Sequence, residues 1–177
     1  MSNLIFITGG ARSGKSNLAV QLANKLGGSV VFIATARAED EEMAGRILIH
    51  KGSRPKGWVT IEEPKDIALA VATAYGYDVI IIDCLILFLS NLIREGDDLD
   101  DPGEIDRILN EIKKVTEATR KFDGTVIVVS NEIGMGIVPE NKLARNFRDL
   151  AGRTNQMVAG AANEVYLCFS GIPLRIK

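Results

Sequence analysis

This chain is organised around one short stretch, Gly9-Gly10-Ala11-Arg12-Ser13-Gly14-Lys15-Ser16. It matches the pattern G-x-x-x-x-G-K-[ST], which binds phosphate where it joins a strand to a helix. Both neighbours are indicated here, because the apolar run Leu4–Thr8 precedes the stretch and apolar residues at helical spacing follow it from Leu18 to Leu26. A glycine-rich turn that ended in Lys-Ser by chance would lack this context. The stretch therefore predicts a phosphate-binding loop.

The chemistry of such a loop gives its residues different roles. Glycines allow the backbone to approach an anion closely, and the N–H groups at the start of the following helix point towards it. Lys15 is predicted to be catalytic, because its charge reaches the β- and γ-phosphates. The hydroxyl of Ser16 is predicted to bind Mg²⁺, the expected cofactor. We expect all eight residues from Gly9 to Ser16 to contact a nucleotide.

Composition limits the class of protein. The chain has 177 residues, 46% of them hydrophobic and 25% charged, which is typical of one folded domain, predicted over residues 1–177. The formal net charge of -2 gives no basic field for nucleic acid. The longest apolar run, Val79–Leu89, contains Asp83 and is too short for a membrane span. Because there is no basic leader and Cys84 and Cys168 lie in apolar surroundings, we expect a soluble cytoplasmic protein with buried free thiols.

Buried strands alternate with helices along the chain. Apolar or alternating runs indicate strands at Leu4–Thr8, Ser29–Ala34, Trp58–Glu62, Val79–Asp83, Gly124–Ser130, Glu164–Phe169 and Ile172–Lys177. Helices are indicated at Asp40–Lys51, Pro64–Tyr75, Leu85–Arg94, Glu104–Lys121 and Asn141–Ala162. This order predicts an α/β fold of the P-loop NTPase-like (RecA-like) type, with a mostly parallel sheet and helices on both faces.

Asp83 is a second residue with a predicted role in phosphate chemistry. It ends the buried strand Val79–Asp83, and ligands of open parallel sheets bind at the carboxyl ends of the strands. In phosphate-loop proteins, an acid at such a strand end holds Mg²⁺ or its water. The alternative is an aspartate that only caps the following helix. We predict that Ser16 and Asp83 are the Mg²⁺ ligands.

Two other features stay open when only the residues are considered. His50 is the one histidine of the sequence, and a neutral imidazole can attack phosphorus, but the residues alone favour an ordinary surface histidine at a helix end. The loop Ser130–Asn141 follows a buried strand and suits substrate binding. Arg145, Arg148 and Arg153 on the next helix suit either phosphate contacts or surface ion pairs.

Two long motifs and several shorter ones point to a family. His50–Pro55 reads H-K-x-x-R-P, and Asn131–Asn141 reads N-E-I-G-M-G-I-V-P-E-N. The shorter matching segments are Thr8–Ser16, Ile33–Ala36, Asp83–Leu85, Leu89–Leu92, Phe147–Gln156 and Ser170–Lys177. On these segments the whole chain resembles the bifunctional adenosylcobinamide kinase / adenosylcobinamide-phosphate guanylyltransferase family of cobalamin synthesis.

The resemblance implies two reactions. In the first, ATP or GTP phosphorylates the aminopropanol hydroxyl of adenosylcobinamide. In the second, GTP guanylylates the position that matches His50 and releases pyrophosphate, and the phosphate of adenosylcobinamide-phosphate then attacks the adduct to give adenosylcobinamide-GDP. The resemblance thus identifies His50 as catalytic and reverses the interpretation that the residues alone favour.

The resemblance also extends the predicted nucleotide site beyond the phosphate loop. The family's GTP contacts match Ala34, Thr35, Ala36, Lys51, Gly52, Ser53, Arg54, Glu62 and Cys84. Family members form a propeller-shaped trimer, so we expect a homotrimer. Some relatives have a second histidine just before the nucleophile, where this chain has Ile49. The alternative function is a single-function P-loop small-molecule kinase without a covalent intermediate, in which His50 only lines the site.

Overall fold

The chain forms alternating strands and helices, as its apolar runs predict. The computed structural model describes residues 2–38, 40–52 and 54–177, with only the backbone of Arg46 and His50. Within these residues the strands are β1 (Asn3–Gly9), β2 (Val30–Ala34), β3 (Val59–Glu62), β4 (Val79–Asp83), β5 (Thr125–Val129), β6 (Glu164–Phe169) and β7 (Ile172–Arg175). The helices are α1 (Lys15–Leu26), α2 (Glu41–Gly52), α3 (Ile67–Thr73), α4 (Leu85–Leu92), α5 (Pro102–Lys121) and α6 (Lys142–Ala161).

The strands of the described residues form one sheet in the order β3-β2-β4-β5-β1-β6-β7. Every neighbouring pair is parallel except β6 and β7, which are antiparallel. This confirms the predicted mostly parallel sheet. Because β5 lies between β1 and β4, the segment after β5 emerges between the phosphate loop and Asp83. The carboxyl ends of these strands meet at one edge, where parallel sheets bind ligands.

Both faces of the sheet are covered, because successive residues of a strand point to opposite sides. Leu4, Phe6, Ile80 and Ile82 belong to a buried cluster with residues of α3, α5 and α6. Ile5, Ile7, Val79 and Ile81 belong to a second cluster that includes Ala19 and Ala23 of α1. The prediction of helices on both faces is confirmed. Among the described residues, no helix has the length and apolarity to cross a membrane.

Local capping sets two helix starts that the predicted boundaries place elsewhere. α3 begins at Ile67 instead of Pro64, because the carboxylate of Asp66 accepts a hydrogen bond from the N–H of Leu69 at 2.9 Å. α5 begins at Pro102 instead of Glu104, because Asp101 caps it and proline suits the first helical position. These differences leave the strand ends that form the site unchanged.

The parallel register brings three site strands to the same level. Ala34 of β2 pairs with Glu62 of β3 on one side and with Asp83 of β4 on the other. Asp83 in turn pairs with Val129 of β5. Residues that are far apart in the chain therefore end in one row beside the phosphate loop.

A buried and an exposed isoleucine give a test of this packing. Ile81 is 0% exposed and Ile137 is 96% exposed. We expect Ile81→Ala to lower the free energy of unfolding by about 2–5 kcal/mol, because it removes buried methyl groups and leaves a cavity. Ile137→Ala should change it by less than about 0.5 kcal/mol. Urea titration followed by circular dichroism measures both. Equal losses in the two variants would contradict the buried position of Ile81.

Candidate functional site

The phosphate loop is held tightly by the end of β6. Gly9 has a φ of 148°, and a Cβ built on it would lie 2.3 Å from the carbonyl oxygen of Cys168, so no side chain fits there. The carbonyl of Ser13 accepts a hydrogen bond from the N–H of Gly171 at 3.1 Å. The loop residues Gly10 to Arg12 are exposed between these two attachments. The loop is thus fixed at both ends and open in the middle.

Lys15 is a buried cation at the first position of α1. The residue is 7% exposed, and Nζ donates a hydrogen bond to the carbonyl of Gly10 at 2.6 Å. Burial lowers the pKa of Lys15 from its usual value, while the negative charge of Asp83 acts in the opposite direction. Since the N-cap residue is Gly14, the first N–H groups of α1 have no capping side chain. Cation and helix terminus together suit a bound phosphate.

A buried threonine joins the ends of β2 and β4. The hydroxyl of Thr35 donates to the carbonyl of Cys84 at 2.7 Å and accepts from the N–H of Cys84 at 2.8 Å. The amide of Asn91 in α4 donates to the carbonyl of Thr35 at 2.8 Å. Ala34, Thr35 and Cys84 are all buried, and Ala36 is partly exposed. The structure therefore brings the predicted segment Ala34–Ala36 into contact with Cys84.

The position of Asp83 fits metal binding better than helix capping. Cys84, not Asp83, occupies the N-cap position of α4. The negative charge of Asp83 favours the charged forms of both Lys15 and Arg54, so it is near enough to interact with each of them. Ser16 follows Lys15 in the first turn of α1 and is partly exposed.

The donors at this edge suit Mg²⁺. In the described part of the chain, no group of three or more His, Cys, Asp or Glu residues forms a metal cage. Mg²⁺ ordinarily takes one or two protein carboxylates and fills its other positions with water and substrate phosphates. One hydroxyl from Ser16 and one carboxylate from Asp83 match that requirement.

Two further cations, Lys51 at the end of α2 and Arg54 before β3, interact with acids of this edge. Lys51 forms an ion pair with Glu62, although both side chains are largely exposed. Arg54 lies 3.8 Å over the ring of Phe32, and its Nη1 donates to the hydroxyl of Thr60 at 3.0 Å.

Arg54 has hydrogen-bonding capacity left over. Its buried Nε has no hydrogen-bond partner among the described residues. Burial lowers the pKa of Arg54, and the charges of Asp83 and Glu62 oppose this shift. The group stays a cation, and it suits an anionic ligand.

The remaining predicted residues of this region lie at its border. The backbone of His50 belongs to α2, whereas its side chain is outside the described atoms. Gly52 is the exposed last residue of that helix. Ser53 lies outside the described residues. The predicted roles of His50 and Ser53 therefore stay predictions.

The structure contains a buried polar network beneath this edge of the sheet, and its residues are not among the predicted site residues. The hydroxyl of Ser130 donates to Asn155 Oδ1 at 2.6 Å, and Asn155 Nδ2 donates to the carbonyl of Asn131 at 3.0 Å. The N–H of Glu132 donates to the carbonyl of Gly9 at 2.9 Å. The network fixes the segment after β5 against the phosphate loop. The sequence analysis does single out the loop Ser130–Asn141 and the segment Phe147–Gln156, but neither pattern shows that their residues bond to each other.

The arginines of α6 hold the rest of the loop that follows β5. Arg145 Nη1 donates to the carbonyls of Pro139 and Glu140 at 3.0 and 2.6 Å. Arg148 Nη1 donates to the carbonyl of Ile137 at 3.4 Å. These backbone contacts belong to neither of the two expected roles, phosphate binding and surface ion pairing. Arg153 is exposed.

Comparison with known proteins gives full-length relatives. A family model described as cobinamide kinase / cobinamide phosphate guanyltransferase matches residues 5–176. The bifunctional adenosylcobalamin biosynthesis protein CobU of Escherichia coli (strain K12) is 42% identical over 181 residues, covering 98% of this chain and 99% of the relative. The bifunctional adenosylcobalamin biosynthesis protein CobP of Pseudomonas aeruginosa is 40% identical over 172 residues, covering 97% of this chain and 95% of the relative.

A solved structure supports the fold. An ATPase from the type III secretion system of pathogenic bacteria superposes with a TM-score of 0.60 at 15% identity. The superposition covers 94% of this chain and 51% of that chain. At this identity the likeness concerns the fold alone, and it confirms the predicted P-loop NTPase-like, RecA-like architecture.

The two buried thiols give a test of the packing beneath the site. Burial raises the pKa of Cys84 to about 12, and it raises the pKa of Cys168 as well. Since the thiolate is the reactive form, both groups should stay protonated at pH 8 and resist a disulfide reagent such as DTNB. We expect no reaction in the native chain and both cysteines to react in denaturant. Stoichiometric labelling of the native chain would contradict the burial of these thiols.

Proposed function

The chain belongs to the cobinamide kinase / cobinamide phosphate guanyltransferase family, and we propose how its own residues carry out the two reactions. Its activities are those of a cobinamide kinase and a cobinamide phosphate guanylyltransferase of adenosylcobalamin biosynthesis. The first transfers a phosphoryl group from ATP or GTP to adenosylcobinamide. The second transfers GMP from GTP to the product and gives adenosylcobinamide-GDP and pyrophosphate.

In the kinase reaction, the phosphate loop aligns and neutralises the triphosphate. The backbone N–H groups from Gly9 to Ser16 surround the β- and γ-phosphates, and the N-terminus of α1 adds its dipole. Lys15 is already desolvated, so its charge acts on the transferring group with little screening. Such positioning and charge stabilisation is the main source of catalysis in phosphoryl transfer.

Ser16 and Asp83 would hold Mg²⁺ when the nucleotide is bound. When bound, the ion would supply positive charge to the β- and γ-phosphates. Asp83 sits at the end of β4 in register with Ala34, and it also acts on Lys15 and Arg54. This carboxylate therefore also balances the cations that collect around the phosphates.

In the guanylyltransferase reaction, we assign His50 as the nucleophile. A neutral imidazole nitrogen forms a bond to the α-phosphorus of GTP. The bond from that phosphorus to the bridging oxygen breaks, and its electron pair leaves with pyrophosphate. A phosphate oxygen of adenosylcobinamide-phosphate then attacks the same phosphorus and returns the electron pair to the imidazole. Each step exchanges one bond at phosphorus.

The observation that carries this assignment is the position of the residues next to His50. Lys51, on the same helix, contacts Glu62 at the end of β3. Arg54 lies over Phe32 of β2. The negative charge of Asp83 favours the cationic forms of both Arg54 and Lys15. The end of α2 is therefore anchored to the same sheet edge as the phosphate loop.

The residues of this flank complete the proposed nucleotide site. Lys51, Gly52, Ser53 and Arg54 follow the nucleophile and offer cationic and backbone donors. Glu62, Cys84 and the segment Ala34–Ala36 lie at the ends of β2, β3 and β4, and we place the rest of the GTP molecule against them. Because the thiol of Cys84 stays protonated, it adds no negative charge beside the nucleotide.

Assembly and location complete the proposal. We propose a homotrimer in the cytoplasm, on the resemblance to the family and on the two free buried cysteines. The net charge of -2 supports the absence of a nucleic-acid partner.

The covalent intermediate is tested with GTP labelled at the α-phosphate. We expect the native chain to form an acid-labile protein adduct, because phosphoramidates hydrolyse in acid. His50→Ala should form none and keep its kinase activity. Leu48→Ala, an exposed position on the same helix, is the matched control and should label normally. An adduct in His50→Ala rules out this nucleophile. No adduct in any chain beside an active kinase favours the single-function kinase.

The phosphate loop is tested at its lysine. Lys15→Met removes a charge-assisted hydrogen bond of about 1.5–3 kcal/mol. We expect ATP and GTP to bind about 10- to 100-fold more weakly, measured by isothermal titration calorimetry. Lys25→Met changes an exposed lysine of the same helix and should bind normally. Equal nucleotide affinities for the two variants would contradict the proposed role of Lys15 in the phosphate loop.

A further inference from the structure

Glu132 follows β5, between the phosphate loop and Asp83, which are the two elements of the proposed phosphate site. Its N–H donates to the carbonyl of Gly9, the first residue of the phosphate loop, at 2.9 Å. Glu132 comes shortly after the end of β5. This strand lies between β1 and β4, and β4 ends at Asp83. The side chain of Glu132 therefore starts at the carboxyl edge of the sheet, between the phosphate loop and Asp83, where the proposed triphosphate site lies.

The carboxylate of Glu132 is held in place from one side. Its Oε1 accepts a hydrogen bond from the N–H of Gly134 at 2.7 Å. A Cβ at Gly134 would lie 2.9 Å from that oxygen, so glycine permits the contact. Asn155 fixes the backbone just before it, through Ser130 and Asn131. Oε2 accepts no hydrogen bond from the described residues, so one oxygen is oriented and the other is available.

The other acids of this edge are engaged with cations. Glu62 forms an ion pair with Lys51, and Asp83 acts on Lys15 and Arg54. Glu132 forms no ion pair with any residue that the structure describes. It is partly exposed, so its carboxylate is accessible to a substrate. It therefore has the properties of a proton acceptor, since no cation competes for its charge.

We propose that Glu132 is the general base of the kinase reaction, an inference that rests on the proposed function. The hydroxyl oxygen of the cobinamide side chain forms a bond to the γ-phosphorus. The bond from that phosphorus to the β–γ bridging oxygen breaks, and its electron pair leaves with the nucleoside diphosphate. The hydroxyl proton passes to a carboxylate oxygen of Glu132 and then to solvent. Asn155 holds the backbone just before Glu132 through Ser130 and Asn131.

The test uses Glu132→Gln, which keeps the shape and the acceptor for Gly134 but not the basicity. We expect kcat of the kinase reaction to fall about 10²- to 10⁴-fold, the usual contribution of a general base. The nucleotide KM should stay within about twofold, because binding does not use this proton. The acidic limb of the pH profile of kcat should disappear. Labelling of the protein by GTP should be unchanged. Glu117→Gln, at an exposed acid of α5 away from the site, is the matched control and should behave as the native chain.

Glu132→Asp covers the case of a merely structural role. It keeps a base on a shorter side chain, so its kcat should lie between those of the native chain and Glu132→Gln, with the acidic limb retained. Native kcat in Glu132→Gln, or an unchanged pH profile, overturns the assignment. Equal losses of kinase turnover and GTP labelling also overturn it, since they indicate a damaged phosphate loop. A native chain that phosphorylates no cobinamide overturns the proposed function itself.

Discussion

The close approach of three strand ends at Gly9 is the constraint on which the site depends. The carbonyl of Gly9 accepts the N–H of Glu132, and its Cα lies so near the carbonyl of Cys168 that a side chain is excluded. β1, β5 and β6 are thereby joined where the phosphate loop begins. Any larger residue at this position would separate the loop from β6, and with it the segment after β5. Glycine is thus required here by packing as well as by phosphate binding.

The same edge holds desolvated cations and unpartnered polar atoms that an anionic ligand would stabilise. Burial lowers the pKa values of Lys15 and Arg54, which means that both cations are partly desolvated. The Nε of Arg54 and the hydroxyl of Ser13 are buried without hydrogen-bond partners among the described residues. Such groups lower the stability of a fold unless something pairs with them. A triphosphate bound as proposed would supply negative charge and hydrogen-bond acceptors to these groups, and binding would then offset the free-energy cost of burying them.

The sequence predicts the elements of this protein better than the contacts between them. The strand Val79–Asp83 and the loop Gly9–Ser16 are recognisable in the sequence, because each is defined by a pattern of neighbouring residues with a known physical basis. The strand order is not, because pairing β5 with β1 depends on packing between distant segments. Asn155 illustrates the limit: at helical spacing it looks like any polar residue, and only the fold shows that it holds Ser130 and Asn131. The start of α3 is set by the cap at Asp66, whereas Pro64 in the sequence suggests an earlier start.

The order of the strands separates the two proposed reactions in space. Glu132 follows β5, next to the loop strand β1, whereas α2 connects β2 to β3 on the far side of β4. A triphosphate held by the loop would therefore meet the cobinamide hydroxyl from the β5 side and the imidazole from the β2 side. The hydroxyl attacks the γ-phosphorus, whereas the imidazole attacks the α-phosphorus. The two groups therefore approach one bound triphosphate from different directions. Asp83, at the end of β4, lies between these approaches and can serve both with the same charge.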